Sequence, residues 1–221
     1  MIANVAMLTY FWRLRIHDNP VLRGPTTAVT RPLHNIAHFF NQRSLRIAYA
    51  ITITRSVFWA ALFIYGPIYV IEAGLPTWVA GSFLSVASAM LFLGTIVSKI
   101  ADRVGVRRVI IGALCVVAAN MTGLALVGSP KPYGIAFWIG GAIGGAALDV
   151  VGNIPFMRLV KPGQRTAMTT VFSTWREVSS LITPVIAAAA LALGSFPLLY
   201  LTIAVLLLGA ALSASYLPRR L

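Results

Sequence analysis

The chain has 221 residues, of which 58% are hydrophobic and 10% charged, with a mean hydropathy of +0.84 and a formal net charge of +13. Soluble domains carry roughly a quarter charged residues, so this composition excludes an ordinary soluble fold and raises the question of membrane crossings. The basic excess suggests nucleic acid at first sight, but its confinement to segments between apolar runs marks membrane orientation and contact with anionic lipid instead.

The first twelve residues, MIANVAMLTYFW, are apolar but too short to cross a bilayer, which takes about 20. They lack a basic region before them and a small-residue cleavage site after them, which argues against a signal peptide. Two readings stay open: an interfacial amphipathic segment, or the last turns of an earlier span whose beginning is absent. RLRIHDNP follows, and the chain stays polar and basic to residue 45, with Pro20, Pro25 and Pro32 breaking any long helix. All three histidines, His17, His34 and His38, lie in this tail. No base is therefore left at depth for an intramembrane Ser–His protease, and no His-based metal site can form in the bilayer. There is no Gly-rich Lys-Ser/Thr phosphate loop, so the chain does not hydrolyse ATP itself. No enzymatic activity, cofactor or metal is expected.

Six apolar stretches come next, approximately 47–71, 78–98, 109–127, 133–157, 166–193 and 196–217. Each is long enough to cross, and the runs are continuous without a period of two, which selects helices over a barrel. Short links imply an antiparallel bundle. Lys and Arg number six up to Arg46, four between spans two and three (Lys99, Arg103, Arg107, Arg108), three after span four (Arg158, Lys161, Arg165) and two at the C-terminus (Arg219, Arg220). The opposite side has only Lys131. Fifteen against one places both termini in the cytoplasm. The single Cys115, inside span three, has no disulfide partner in the chain and is assigned to packing.

Four ionisable residues fall inside spans: Arg55 in span one, Asp149 in span four, and Arg176 and Glu177 in span five. Pro67, Pro155 and Pro184 fall within the same three spans, whereas Pro197 opens span six, where proline is tolerated. These three helices are expected to line a polar interior, with spans two, three and six more lipid-facing. At about 1.5 Å per residue, Arg55 and Asp149 lie roughly 12 Å and Arg176 roughly 15 Å from the basic ends of their spans. All four charges sit near the midplane and can neutralise one another. They read either as static ion pairs or as a substrate or proton site, since buried membrane charge points to function by default. Thr52 and Trp59 flank Arg55, Asn153 is one turn from Asp149, and Ser173, Trp175 and Ser180 surround the pair on span five. Such aromatic, amide and hydroxyl groups suit an organic solute. In GGAIGGAALD, the pairs Gly140/Gly144 and Gly141/Gly145 let other helices approach closely.

The stretch SKIADRVGVRRV resembles a signature of the major facilitator superfamily. Asp102, Arg103 and Gly105, followed by Arg107 and Arg108, match the Asp-Arg-x-Gly-basic-basic loop that joins the second and third helices of each six-helix half. Ser98 stands where that motif usually opens with Gly, and Val106 where a basic residue is common. Pro155 to Arg158 and Lys161 to Arg165 are similar to the family's link after the first helix of a three-helix repeat. Over residues 46–218 the chain resembles the C-terminal half of such a transporter.

The resemblance implies an all-α membrane protein of six transmembrane helices, arranged as two inverted three-helix repeats. Residues 1–45 would be the end of a preceding helix plus a cytoplasmic connector, 46–218 the six-helix domain, and 219–221 a cytoplasmic tail. The first and fourth helices would line the central cavity, the second and fifth would lie beside them, and the third and sixth outside. Asp102 would bridge to basic residues and a helix N-terminus of the opposite half, closing a cytoplasmic gate, with Arg158 a candidate partner within this chain. The alternative is that Asp102 balances local basic charge. The expected function is secondary transport of a small solute, most simply proton-coupled through Asp149 or Glu177, with Arg55 and Arg176 able to hold an anionic substrate. The expected partners are that solute, protons, lipid and a second six-helix half. The rivals are a non-transporting scaffold, an inactive truncated half, and the membrane subunit of an ATP-driven pump.

Overall fold

The computed structural model describes residues 32–193 and 195–218, and among these the regular elements are helices. The opening residues 1–12, most of the basic tail, and the C-terminal tail with Arg219 and Arg220 lie outside the described residues. A short helix, α1 (Pro32–Asn41), precedes α2 (Arg43–Glu72), a single helix of 30 residues. Next come α3 (Thr77–Ala89), a 3-10 turn (Met90–Leu93) and α4 (Gly94–Val104), which together make span two. Span three is α5 (Val106–Val127), and span four is divided into α6 (Ile135–Val151) and α7 (Ile154–Leu159). Span five is also divided, into α8 (Arg165–Ser173) and α9 (Trp175–Ala192), and α10 (Phe196–Ala214) is span six.

Five of these stretches are long and apolar enough to cross a membrane: Arg43–Glu72, Thr77–Val104, Val106–Val127, Pro132–Leu159 and Phe196–Ala214. The expected fifth span is helical but is not among them. Its helix stops at Ser173 and restarts at Trp175, and the restarted helix opens with Arg176 and Glu177. Arg176 and Glu177 lower the hydropathy of that helix. The described part of the chain is thus that of an all-helical membrane protein.

Helix α2 is the hub, packing against α3, α6, α9 and α10. Of its apolar window, 61% is buried within the chain, against 50% for span four and 17% for span two. The most extensive helix contacts are α5 with α10 and α5 with α6. The two glycine pairs of α6 serve different neighbours. A Cβ at Gly140 would meet Asn120, and one at Gly144 would meet Val117 and the Ala113 carbonyl, all on α5. A Cβ at Gly141 or Gly145 would meet Phe58 of α2. One helix thereby accepts two close neighbours on adjacent faces.

Two ends of the bundle can be told apart by chemistry. At the basic end the Arg43 guanidinium lies 4.4 Å from the Tyr216 ring, and Arg107 donates to the Ser215 carbonyl, so the starts of α2 and α5 meet the end of α10. Gly105, between α4 and α5, has φ of 97° and ψ of 136°, a left-handed conformation that excludes most side chains although the space around it is open. At the opposite end, Tyr69 is bonded through its hydroxyl to both the carbonyl and the N–H of Lys131. There Trp138, Tyr69 and Tyr200 pack as a buried aromatic group. Cys115 is exposed on α5, so it does not pack inside the chain as expected.

Candidate functional site

The site is built where an unbroken helix meets two broken ones. Span four is interrupted at Gly152 and Asn153: the Gly152 N–H still donates to the Leu148 carbonyl at 2.7 Å in the helical pattern, but Pro155 has no N–H to give the Val151 carbonyl. Pro155 lies within the apolar stretch Pro132–Leu159, as expected from the sequence, and in the first turn of α7, where proline is tolerated. Asp149 is left in the last turn of α6, just above the break. Pro67 and Pro184 do lie inside helices, in α2 and α9.

Arg55, on the unbroken α2, reaches this break. Its Nε lies 3.2 Å from Asp149 Oδ1, and its Nη1 donates to the Leu148 carbonyl at 3.4 Å. Gly152 lies beside this contact: a Cβ there would sit 2.5 Å from the Leu148 oxygen, the acceptor that Arg55 uses, and in ordinary contact with Arg55 Nη1 at 3.4 Å. The guanidinium is 7% exposed and the carboxylate 32%, so the pair has one buried and one accessible member. The Trp59 indole faces the same carboxylate, but its buried N–H stops short of a formed hydrogen bond. Trp59 also stacks on Phe63 at 5.6 Å.

Span five meets the same guanidinium from the other break. Trp175 opens α9, and its ring centroid lies 5.4 Å from the Arg55 guanidinium and 5.5 Å from that of Arg176. Two hydrogen bonds fasten α2 to this region: Tyr49 to Thr174 at 2.8 Å, and Ser56 to Ser179 at 2.8 Å. Thr52, fully buried, bonds back to the Ala48 carbonyl.

The four charges that the sequence places inside apolar stretches do not form one mutually neutralising set. Among the described residues there is one ion pair, Arg55 with Asp149. Arg176, Glu177, Ser173 and Ser180 all lie on the exposed side of span five in this chain, and Asn153 is exposed at the start of α7. The inward side of α9 is Ser179, Thr183, Ala187 and Ala190. Arg176 is linked to the site only through Trp175, and Glu177 is not brought to it.

Sequence reasoning missed Ser56, Ser179, Tyr49 and Thr174. The stripe Ser179–Thr183–Ala187–Ala190, spaced by four, four and three, was the available signal for the buried face of α9.

At the basic end, Asp102, Arg103 and Arg108 are exposed and Arg107 is half-buried. Arg108 lies 3.5 Å from the Val104 carbonyl. Asp102 makes no ion pair with any described residue, so the expected contact with the exposed Arg158 is not formed. No group of His, Cys, Asp and Glu able to hold a metal ion occurs among the described residues. The chain matches no protein-family model and no curated protein sequence.

Proposed function

We propose that the chain is one half of a secondary transporter of the major facilitator type, moving a small solute by alternating access, with Asp149 as the proton carrier. The observation that carries this reading is the Arg55–Asp149 pair at the junction of one continuous and two interrupted helices, with the carboxylate one-third exposed. Interrupted helices meeting near the midplane are the usual setting of transporter substrate sites. Protonation of Asp149 would release Arg55, and an anionic solute could then take the guanidinium. The exposed Arg176 and Glu177 would face a second six-helix half, either a further copy or a separate N-terminal half, across the central cavity. Asp102 and its basic neighbours would meet that half at the gate. Both termini would lie in the cytoplasm, with the protein in an inner or plasma membrane.

The test uses vesicles holding the chain in its paired form, with a pH-sensitive dye inside. A panel of organic anions, cations and neutral solutes is added in turn. A substrate is expected to drive proton flux in the wild type and none in Asp149→Asn, while counterflow of labelled substrate persists in the variant, since exchange moves no net proton. Loss of counterflow together with proton flux would remove Asp149 from the proton role.

One observation favours the rival scaffold reading: the ion pair is closed and further tied to the Leu148 carbonyl, as a structural strut would be. The double variant Arg55→Leu/Asp149→Leu separates the two. A scaffold would keep its assembly partners and stability, whereas a transporter would keep its fold and lose all substrate-driven flux.

A further inference from the structure

We propose that the cleft between α1 and α8 binds one anionic phospholipid of the leaflet at the basic end, with its phosphate held by His38, Gln42, Lys161 and Gln164. The site lies apart from Arg55 and Asp149, and its test does not depend on transport.

Two cavities lie between the same pair of segments. One, of about 160 Å³, has His38, Gln42, Lys161 and Gln164 on its wall and the buried Leu45 and Met168 beneath them. The other, of about 170 Å³, is overwhelmingly apolar, with Ile36 of α1 facing Ala167 and Val171 of α8. Asn35, Thr166, Thr170 and Thr174 also border it; of these, Thr170 donates to the Thr166 carbonyl and Thr174 to that of Val171, so both hydroxyls turn to their own stretch of chain. A greasy pocket between α1 and α8, and a polar one between the α1–α2 junction and the link that leads into α8, match the two halves of a phospholipid.

Charge decides the sign of the headgroup. The described acids are Glu72, Asp102, Asp149 and Glu177, and none lines either cavity. Lys161 is exposed and makes no ion pair with any described residue. The Gln42 amide and His38 Nε2 are 3.1 Å apart; with Gln42 donating, a second amide N–H and His38 Nδ1–H remain to donate. Donors from four side chains, one of them cationic, suit phosphate oxygens.

Helix α1 is held in place to do this. Phe39 is fully buried, with Tyr49, Phe156 and Phe172 around it, and Phe156 stacks on Phe172 at 4.0 Å. The rest of its apolar surface is unsatisfied: Leu33 is 81% exposed, Ile36 43% and Phe40 39%. A helix anchored by one aromatic, with aliphatic residues and basic neighbours outward, lies well at a bilayer surface. That apolar surface selects a lipid over free phosphate as the source of the anion.

The experiment measures lipid retention by the full chain in mild detergent, read by native mass spectrometry after mixing with equal phosphatidylglycerol and phosphatidylethanolamine. Phosphatidylglycerol is expected to be retained preferentially. Lys161→Ala with Gln164→Ala should lower its retention by about fivefold or more, near the loss of one cationic contact at a membrane surface. Ile36→Glu, which leaves every donor in place, should lower it as well, while Lys99→Ala should not. An equal loss with Lys99→Ala would reduce the effect to general charge attraction and overturn the site. Displacement of the lipid by inorganic phosphate alone would overturn the lipid assignment. Equal retention of the two lipids would overturn the anionic headgroup. Thermal unfolding of each variant, unchanged from the parent, shows that the fold is kept.

Discussion

Asp149 holds Arg55 across the interface between α2 and α6, and the exposures of the two are unequal, 32% for the acid side chain against 7% for the base. Removing the acid leaves a nearly buried guanidinium with only a carbonyl and an indole for company. For Asp149→Asn we expect a loss of about 2 kcal/mol, below the 3–5 typical of a fully buried pair because the acid is partly solvated. Arg55→Leu/Asp149→Leu should recover most of it. Thermal unfolding in one detergent checks both, and equal stability of the single and double variants would count against the pair.

The glycines of α6 separate tight packing from flexibility. Gly144→Ala should destabilise by about 1–3 kcal/mol, because its Cβ would meet the Ala113 carbonyl at 3.0 Å and Val117 at 2.7 Å, and a backbone atom cannot swing aside. Gly81→Ala, in open space on α3, should be neutral or gain up to about 1 kcal/mol from helix propensity. The order of the two midpoints in a thermal scan is the measurement.

Orientation can be read by labelling. Because Cys115 is exposed on α5, the background is Cys115→Ser. Single cysteines at Gly74 and Ser129 should react with an impermeant reagent added outside intact cells, and one at Gly105 should react only after permeabilisation. Strong external labelling at Gly105 would invert the proposed topology.

The exposed Arg176 and Glu177 bear on assembly. A charge left at mid-bilayer costs at least about 2.5–3.5 kcal/mol on insertion scales, so the chain is expected to pair. In mild detergent it should run as a dimer or aggregate, and co-expression with six matching N-terminal helices should raise its stability. A monodisperse, heat-stable monomer that gains nothing from the added helices would refute the half-transporter reading.

Helix positions were legible because apolar runs of about 20 residues have few alternatives in this composition. That Arg55 and Asp149 could meet was legible as charges at equal depth, but nothing in the sequence singled out this pair among the four. The side assignment in span five was not legible. Phase counted along the helix grouped Ser173 and Ser180 with Arg176 and Glu177, and these four do share one exposed side; sequence does not say which side turns toward Arg55, and what turns inward is Ser179 and Thr183. Pro155 was legible as an interior proline of span four, but not that the span divides there, with α6 ending at Val151 and Pro155 in the first turn of α7. Phe39 escaped notice because its pocket is assembled from α2, α7 and α8, which are far apart in the chain.

The strap at the basic end, where Arg43 covers Tyr216 and Arg107 holds the Ser215 carbonyl, has a consequence for synthesis. Ribosomes deliver helices in order, yet α5 finds its most extensive neighbour in α10, the last in chain order of the described helices. Early helices must therefore wait in the translocon or bilayer with an unsealed flank, and the two arginines can fasten only once the end of α10 leaves the exit tunnel. A nascent chain stalled after Leu193 should be readily cut by protease at its exposed links, and one released after Leu217 should resist, with the change arriving in a single late step.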